Sequence, residues 1–342
     1  MTLITYPTRV HFADDVLEDA LHSELEGAGL KAPLLLGEAP LETSETCERV
    51  RSGFPKGMKA VSWGVAPDAD LSESAKQVVA MVEGQGTDVV ISFGSARAIE
   101  LGRKVRRALS EVAGYRLPFY AVPGIDGLPD PCRSNLETWR TSLPTVLICD
   151  PTLTLAEGAE AGRQSAVMSL VRSTEAFLAE TYNPPADGMA LDAFRRCIGI
   201  LPGIDATRMD IALHRDLMAA ALNSAFSQDK GVGPTQVLTA ALKDVLTGVD
   251  TVAAARLILP AVIEAMNPDR SKADVLGRLM GTTRLSAPDL RSLLRKRQGA
   301  NGAARLSDLG LSHAHLEGAA AEAERRHILP DGLGRAVLEA VY

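Results

Sequence analysis

The chain has 342 residues, a net charge of −7, 46% hydrophobic residues and only 4% aromatic ones. That length can bury two substantial cores, and the aromatic-poor composition suits a helix-rich globular protein better than a β-sandwich. The acidic balance without a Lys/Arg cluster argues against DNA or RNA as a partner. No apolar run approaches the length of a bilayer span, and the opening MTLITYPTRVHF lacks the basic start and apolar core of a signal peptide. Cys47, Cys132, Cys149 and Cys197 lie far apart with no CxxC, which reads as reduced thiols. A cytoplasmic protein with no membrane contact is expected.

In chain order the first half alternates strand and helix. Thr8–Phe12 reads as an edge strand and Val16–Leu25 as an amphipathic helix. Strand Ala32–Gly37, helix Glu45–Arg51, strand Lys59–Trp63 and helix Ser72–Glu83 follow, the last with Ser72 as its N-cap. Strand Thr87–Ser92 and a helix from Ala96 come next, then strands Pro118–Pro123 and Thr145–Cys149. Strands alternating with helices of about a dozen residues predict βαβ units and a parallel sheet covered on both faces. Beyond Asp150 the pattern is helical only. Its segments are Ala159–Glu180, Ala186–Ile200, Thr207–Ser227, Pro234–Leu246, Val252–Met266, Ser271–Leu279, Ala287–Arg297, His315–His327 and Gly332–Val341. Asn183-Pro-Pro, Pro202-Gly203, Gly231-Val-Gly-Pro234, Asn267-Pro268 and Leu329-Pro330 punctuate them. Residues 1–151 are expected to form an α/β, Rossmann-like domain and residues 152–342 an all-helical one, with a cleft between them.

The stretch TDVVISFGSARAIELGRK, Thr87 to Lys104, carries the first chemical signal. A β-branched strand ends in a Gly-Ser turn at a helix start, where unpaired amides and the helix dipole favour an anion such as a phosphate. Gly94, Ser95 and Ala96 would supply those amides.

The order of segments resembles the iron-containing alcohol dehydrogenase superfamily, and within it the maleylacetate reductases in particular. TYPTRVHF is similar to the family's opening strand, and APDADLSESAKQVVAMVEGQGTDVVISFGS to the crossover into its Gly-Gly-Gly-Ser phosphate loop. LPFYAVP, TVLICDPTLTL, LSDLGLSHAHLEGAAAEA and GLGRAVLEAVY are similar to later segments, so the likeness covers nearly the whole chain. It implies the dehydroquinate synthase-like fold of the iron alcohol dehydrogenases. It also implies NAD(P)(H)-linked oxidoreduction of small alcohols, aldehydes and keto acids. Most members bind iron or zinc through one aspartate and three histidines, whereas maleylacetate reductases depend little on metal.

The departures from that pattern set the functional expectation. The resemblance puts the ligand positions at Met168, Arg172, Gln236 and Thr251, with Glu175 retained and a companion histidine replaced by Ala240. These side chains do not make a ligand set for a divalent transition metal, and Arg172 adds a positive charge. The phosphate loop becomes Ser92-Phe93-Gly94-Ser95, in which Phe93 is expected to crowd a pyrophosphate. The family's Asp and Lys in the following turns fall on Ala98 and Leu101, and Arg97, Arg103 and Lys104 read as a solvated face. The later Pro-Thr-Thr is Pro123-Gly124-Ile125 here, so its threonines are missing. His313 and His315 read as exposed, His214 and His327 as isolated, and Asp126 and Asp130 as turn residues.

These losses lead to the expectation of a non-catalytic binding or recognition subunit that needs no cofactor. Its partner would be an active homologous subunit or a peptide, in a homo- or hetero-oligomer. The alternative is a metal-independent NAD(P)H-dependent reductase of a small carbonyl or alcohol, using Gly94, Ser95 and Ala96 for the cofactor. For an enzyme of another class in the same cleft no constellation is found.

Overall fold

The computed structural model describes residues 8–126, 143–205, 209–295, 303–325 and 329–342. Cys132, Asp130, His327, and the helix ends expected at Thr207 and Arg297 lie outside them. The described strands are β1 (Arg9–Phe12), β2 (Pro33–Glu38), β3 (Val61–Val65), β4 (Val89–Gly94), β5 (Phe119–Pro123) and β6 (Val146–Cys149). They form one parallel sheet in the order β1-β6-β5-β4-β2-β3. The chain leaves β2 outward to β3 and returns across β2 to β4, from which it continues the other way to β5. The carboxyl ends of β2 and β4 therefore flank the topological switch point, where open α/β sheets bind their ligands.

Period-2 alternation explains how one sheet feeds two cores. On β4, Val89, Ile91 and Phe93 join one cluster with Leu17, Leu21 and Leu25 of α1 (Leu17–Gly27) and with Val50 of α2 (Glu45–Ser52). Val90 faces the other way, toward Ala98, Ile99 and Val105 of α4 (Ala96–Ala113) and Val78 of α3 (Leu71–Met81). The α3 N-cap is Asp70 rather than the expected Ser72: its carboxylate accepts from the Ser72 and Glu73 amides at 2.9 and 2.8 Å. An aspartate two residues earlier outcompetes a serine because it adds a negative charge at the positive helix end.

After β6 no strand occurs among the described residues. The helices are α5 (Ala159–Leu178), α6 (Pro184–Ile200), α7 (Ile211–Ser227), α8 (Pro234–Val245), α9 (Thr251–Met266), α10 (Arg270–Leu279), α11 (Ala287–Arg295), α12 (His313–Arg325) and α13 (Leu333–Ala340). The fully buried carboxylate of Asp150 ties the junction together. It accepts from the Asp15, Leu17 and Thr152 amides at 3.0, 3.3 and 3.0 Å and from Arg49 at 3.1 Å. Met218, Ala221 and Phe226 of α7 join the sheet's own core, so the helical half is packed onto the sheet.

Phe93 corrects one expectation. Its ring is buried, and a Cβ on Gly37 of the neighbouring strand would lie 2.3 Å from Cζ. The phenylalanine is housed in the space that Gly37 leaves and turns away from the loop beyond it. Gly37→Ala is expected to lower stability by about 1 to 3 kcal/mol through overpacking, read as a lower midpoint in chemical denaturation. An unchanged midpoint would contradict this packing.

Candidate functional site

The site is built at the switch point. Gly94 closes β4 at φ +95°, a conformation that side chains other than glycine rarely adopt. Its carbonyl accepts from the Gly124 amide at 2.8 Å, which ties the turns after β4 and β5 together. Ser95 is the extended N-cap of α4 and makes no side-chain cap; its hydroxyl donates instead to Glu38 at the end of β2. The first amides of α4 are thereby aimed at one spot between the strand ends.

Three carboxylates surround that spot. Besides Glu38, Asp126 approaches the Ala96 amide, and Glu157 accepts from the Ile125 amide at 2.9 Å. Burial raises the Glu157 carboxyl to about 7, assisted by the charges of Asp126 and Glu38. The Asp126 side chain is exposed at the surface, yet desolvation by the atoms around its carboxyl and the charge of Glu38 raise it, while the Ala96 amide pulls the other way. Asp126 is thus more than the turn residue expected from its Gly/Pro surroundings. The described cations of α4 are engaged elsewhere: Arg97 donates to the Ala66 and Ala69 carbonyls, Arg103 pairs with Glu100, and Lys104 reaches Ser72 at 3.4 Å.

A second polar locus lies in the helical half, among the positions that the resemblance assigns to metal ligands. Gln228 donates from Nε2 to the Arg172 carbonyl at 3.1 Å and accepts from Gln236 Nε2 at 3.0 Å. Glu175 accepts from the Thr235 amide at 2.6 Å and from Gln236 Nε2 at 3.2 Å. Met168 packs against the helical core, and Thr251 opens α9. Among the described residues no group of three or more His, Cys, Asp and Glu converges to hold a metal ion. Gln236 Nε2 is committed as a donor and Arg172 brings a cation, so these residues do not fit a divalent metal. Burial raises Glu175 to about 7 against the pull of its donors.

His214, His313 and His315 have structural partners. Thr154 Oγ1 donates to the Pro151 carbonyl at 2.9 Å, which leaves its lone pair for His214 Nδ1–H at 2.8 Å. Burial keeps His214 below its ordinary range. His315 Nδ1 accepts from the Ser312 amide at 3.2 Å, and the exposed His313 packs on Tyr342 with ring centroids 4.0 Å apart.

The fold is that of the maleylacetate reductases and iron-containing alcohol dehydrogenases, as the resemblance implied. Maleylacetate reductase from Agrobacterium tumefaciens matches over 100% of this chain and 97% of its own, with a TM-score of 0.79 at 20% identity. Sulfoacetaldehyde reductase from Bifidobacterium kashiwanohense, solved in complex with NAD+, matches over 100% of this chain and 99% of its own, with a TM-score of 0.77 at 15% identity. In sequence, 4-hydroxybutyrate dehydrogenase from Cupriavidus necator is 24% identical over 295 residues, which are 77% of this chain and 76% of that protein. No protein-family model matches the chain.

These findings overturn the expectation of a non-catalytic binding subunit: the relative and the structural neighbours are named dehydrogenases and reductases. The expectation that no cofactor is needed loses its support as well, since one neighbour is complexed with NAD+. The inference from departures at the ligand positions and in the phosphate loop to lost chemistry was the faulty step. No helix among the described residues is long and apolar enough to cross a membrane.

Proposed function

We propose that the protein is a metal-independent, NAD(H)-dependent oxidoreductase that interconverts a small carbonyl compound and its alcohol. The observation that carries this reading is the turn Gly94-Ser95-Ala96, a glycine-requiring corner at a helix N-terminus on the switch point of a dehydrogenase fold. A Cβ on Gly94 would have only Glu38 Oε2, at 4.0 Å, near it, so the backbone there is open to close approach. Gly94, Ser95 and Ala96 would hold the pyrophosphate through their amides, as the sequence suggests. The bound nicotinamide supplies the hydride; the chain's own residues bind, orient and exclude water.

Glu38 supports NAD(H) over NADP(H), because its carboxylate at the crevice would repel an additional phosphate. The substrate class is supported by the neighbours' names. Hydroxybutyrate, maleylacetate and sulfoacetaldehyde are short molecules with an alcohol or carbonyl and an anionic group.

Calorimetric titration should give micromolar NADH binding, about 8 kcal/mol, with NADPH at least about tenfold weaker. NADH oxidation by a panel of short aldehydes and keto acids should persist after dialysis against a chelator. Elemental analysis should find no stoichiometric iron or zinc. Absence of both binding and turnover would sink the oxidoreductase reading. Turnover that disappears on chelation and returns with zinc or iron would sink its metal independence.

A further inference from the structure

We propose, resting on the cofactor reading above, that Glu38 and Asp126, with Glu157 beside them, occupy the α4 N-terminus in place of a phosphate and that NAD(H) binding requires proton uptake on Asp126 and Glu157. The geometry is self-occupancy. Glu38 from β2 engages the Ser95 hydroxyl, Asp126 from the turn after β5 approaches the Ala96 amide, and Glu157 from the segment after β6 is fixed on Ile125. The Gly94–Gly124 bond holds these turns together, and a Cβ on Gly124 would fall 2.9 Å from Glu157 Oε1. Glu157 is thus packed against the backbone that frames the anion spot.

Among the described residues none of the three carboxylates is ion-paired with a lysine or arginine. Arg97, on α4 itself, is turned to the carbonyls before α3. Among the described residues the compensating charge is the positive end of the helix. A pyrophosphate brings two further negative charges to the same spot, where carboxylates crowded by an anion favour their protonated forms. Glu157, poised to about 7 by burial and by its two acidic neighbours, is the group whose proton is closest to exchange near neutrality.

The sign follows by linkage. A complex that binds more protons than the free protein tightens as pH falls and weakens as pH rises through the range where those protons leave. One proton taken up corresponds to about a tenfold rise in Kd per pH unit above 7.

The test is calorimetric titration of the full chain with NADH between pH 6 and 8.5, in two buffers of different ionisation enthalpy. We expect net proton uptake, Kd rising about tenfold per pH unit above 7, and a flatter profile in Glu157→Gln, which keeps an acceptor for the Ile125 amide. Asp126→Asn should bind NADH about tenfold tighter than the parent at pH 8. NADH binding with a flat pH profile and no buffer dependence would overturn the proposal while leaving the cofactor reading intact. So would an unaltered pH slope in Glu157→Gln. NADH bound by neither the parent nor Asp126→Asn at any pH would remove the cofactor reading and this proposal with it.

Discussion

Replacing Glu175 is expected to change stability more than any other single substitution in the helical half. The carboxylate is buried among α5 and α8 and serves as acceptor for the Thr235 amide and Gln236 Nε2. Glu175→Ala leaves both buried donors without this acceptor. At about 1 to 3 kcal/mol for a buried unsatisfied group, the loss should reach roughly 2 to 5 kcal/mol. The pH dependence gives a sharper test. Burial pushes the folded-state value up to about 7, above the ordinary carboxyl value of 4.5, so the folded protein holds an extra proton between those pH values. That contribution is fully present below the unfolded value and is lost as pH rises through 7, a swing of roughly 3 kcal/mol at most. Urea denaturation across pH 5 to 8 should therefore show falling stability in the parent. Glu175→Gln, which cannot ionise, should flatten that fall; an identical slope in the variant would show that another group carries it.

What the sequence disclosed was local, and what it concealed was brought together by the fold. The run Asp88-Val-Val-Ile-Ser92 followed by Gly94-Ser95 contains its own strand, turn and helix start, so β4 and α4 were legible from residues within a few positions of one another. The parallel sheet and the all-helical remainder were legible for the same reason.

Phe93 was misjudged because its place depends on Gly37, fifty-six residues earlier by number, and only the β2–β4 pairing sets the two against each other. Glu38, Asp126 and Glu157 carry no common spacing and meet only because parallel strands place all their carboxyl ends on one edge. Asp150 marked only the end of the alternating half in the sequence; its role as acceptor for the turn after β1 and for Arg49 requires β1 and β6 to be neighbours. The functional expectation failed on different ground. Met168, Arg172, Gln236 and Thr251, the positions that the resemblance assigns to ligands, bear on metal binding alone, and a departure there says nothing about hydride transfer from a nicotinamide.

Gly94→Val should reduce NADH affinity at least about a hundredfold while the chain remains folded. At φ +95° a β-branched residue is strained, by about 1 to 3 kcal/mol. Relief can come only by rotating the peptide that aims the Ser95 and Ala96 amides or by breaking the 2.8 Å bond from Gly124 to the Gly94 carbonyl. Either movement takes charge-assisted hydrogen bonds from the pyrophosphate, and at about 1.5 to 3 kcal/mol each the loss of two suffices for a hundredfold. The valine side chain would also stand where the phosphate must approach the backbone. The matched control is Gly114→Val at the far end of the same helix, where φ is +73° and no neighbouring atom lies within 4 Å of an added Cβ. It carries comparable strain some 27 Å away, taking 1.5 Å for each of the 18 residues of α4. Calorimetry on the two variants then separates a local effect on the turn from general destabilisation. Equal weakening in both, or parental affinity in Gly94→Val, would remove this turn from the cofactor site.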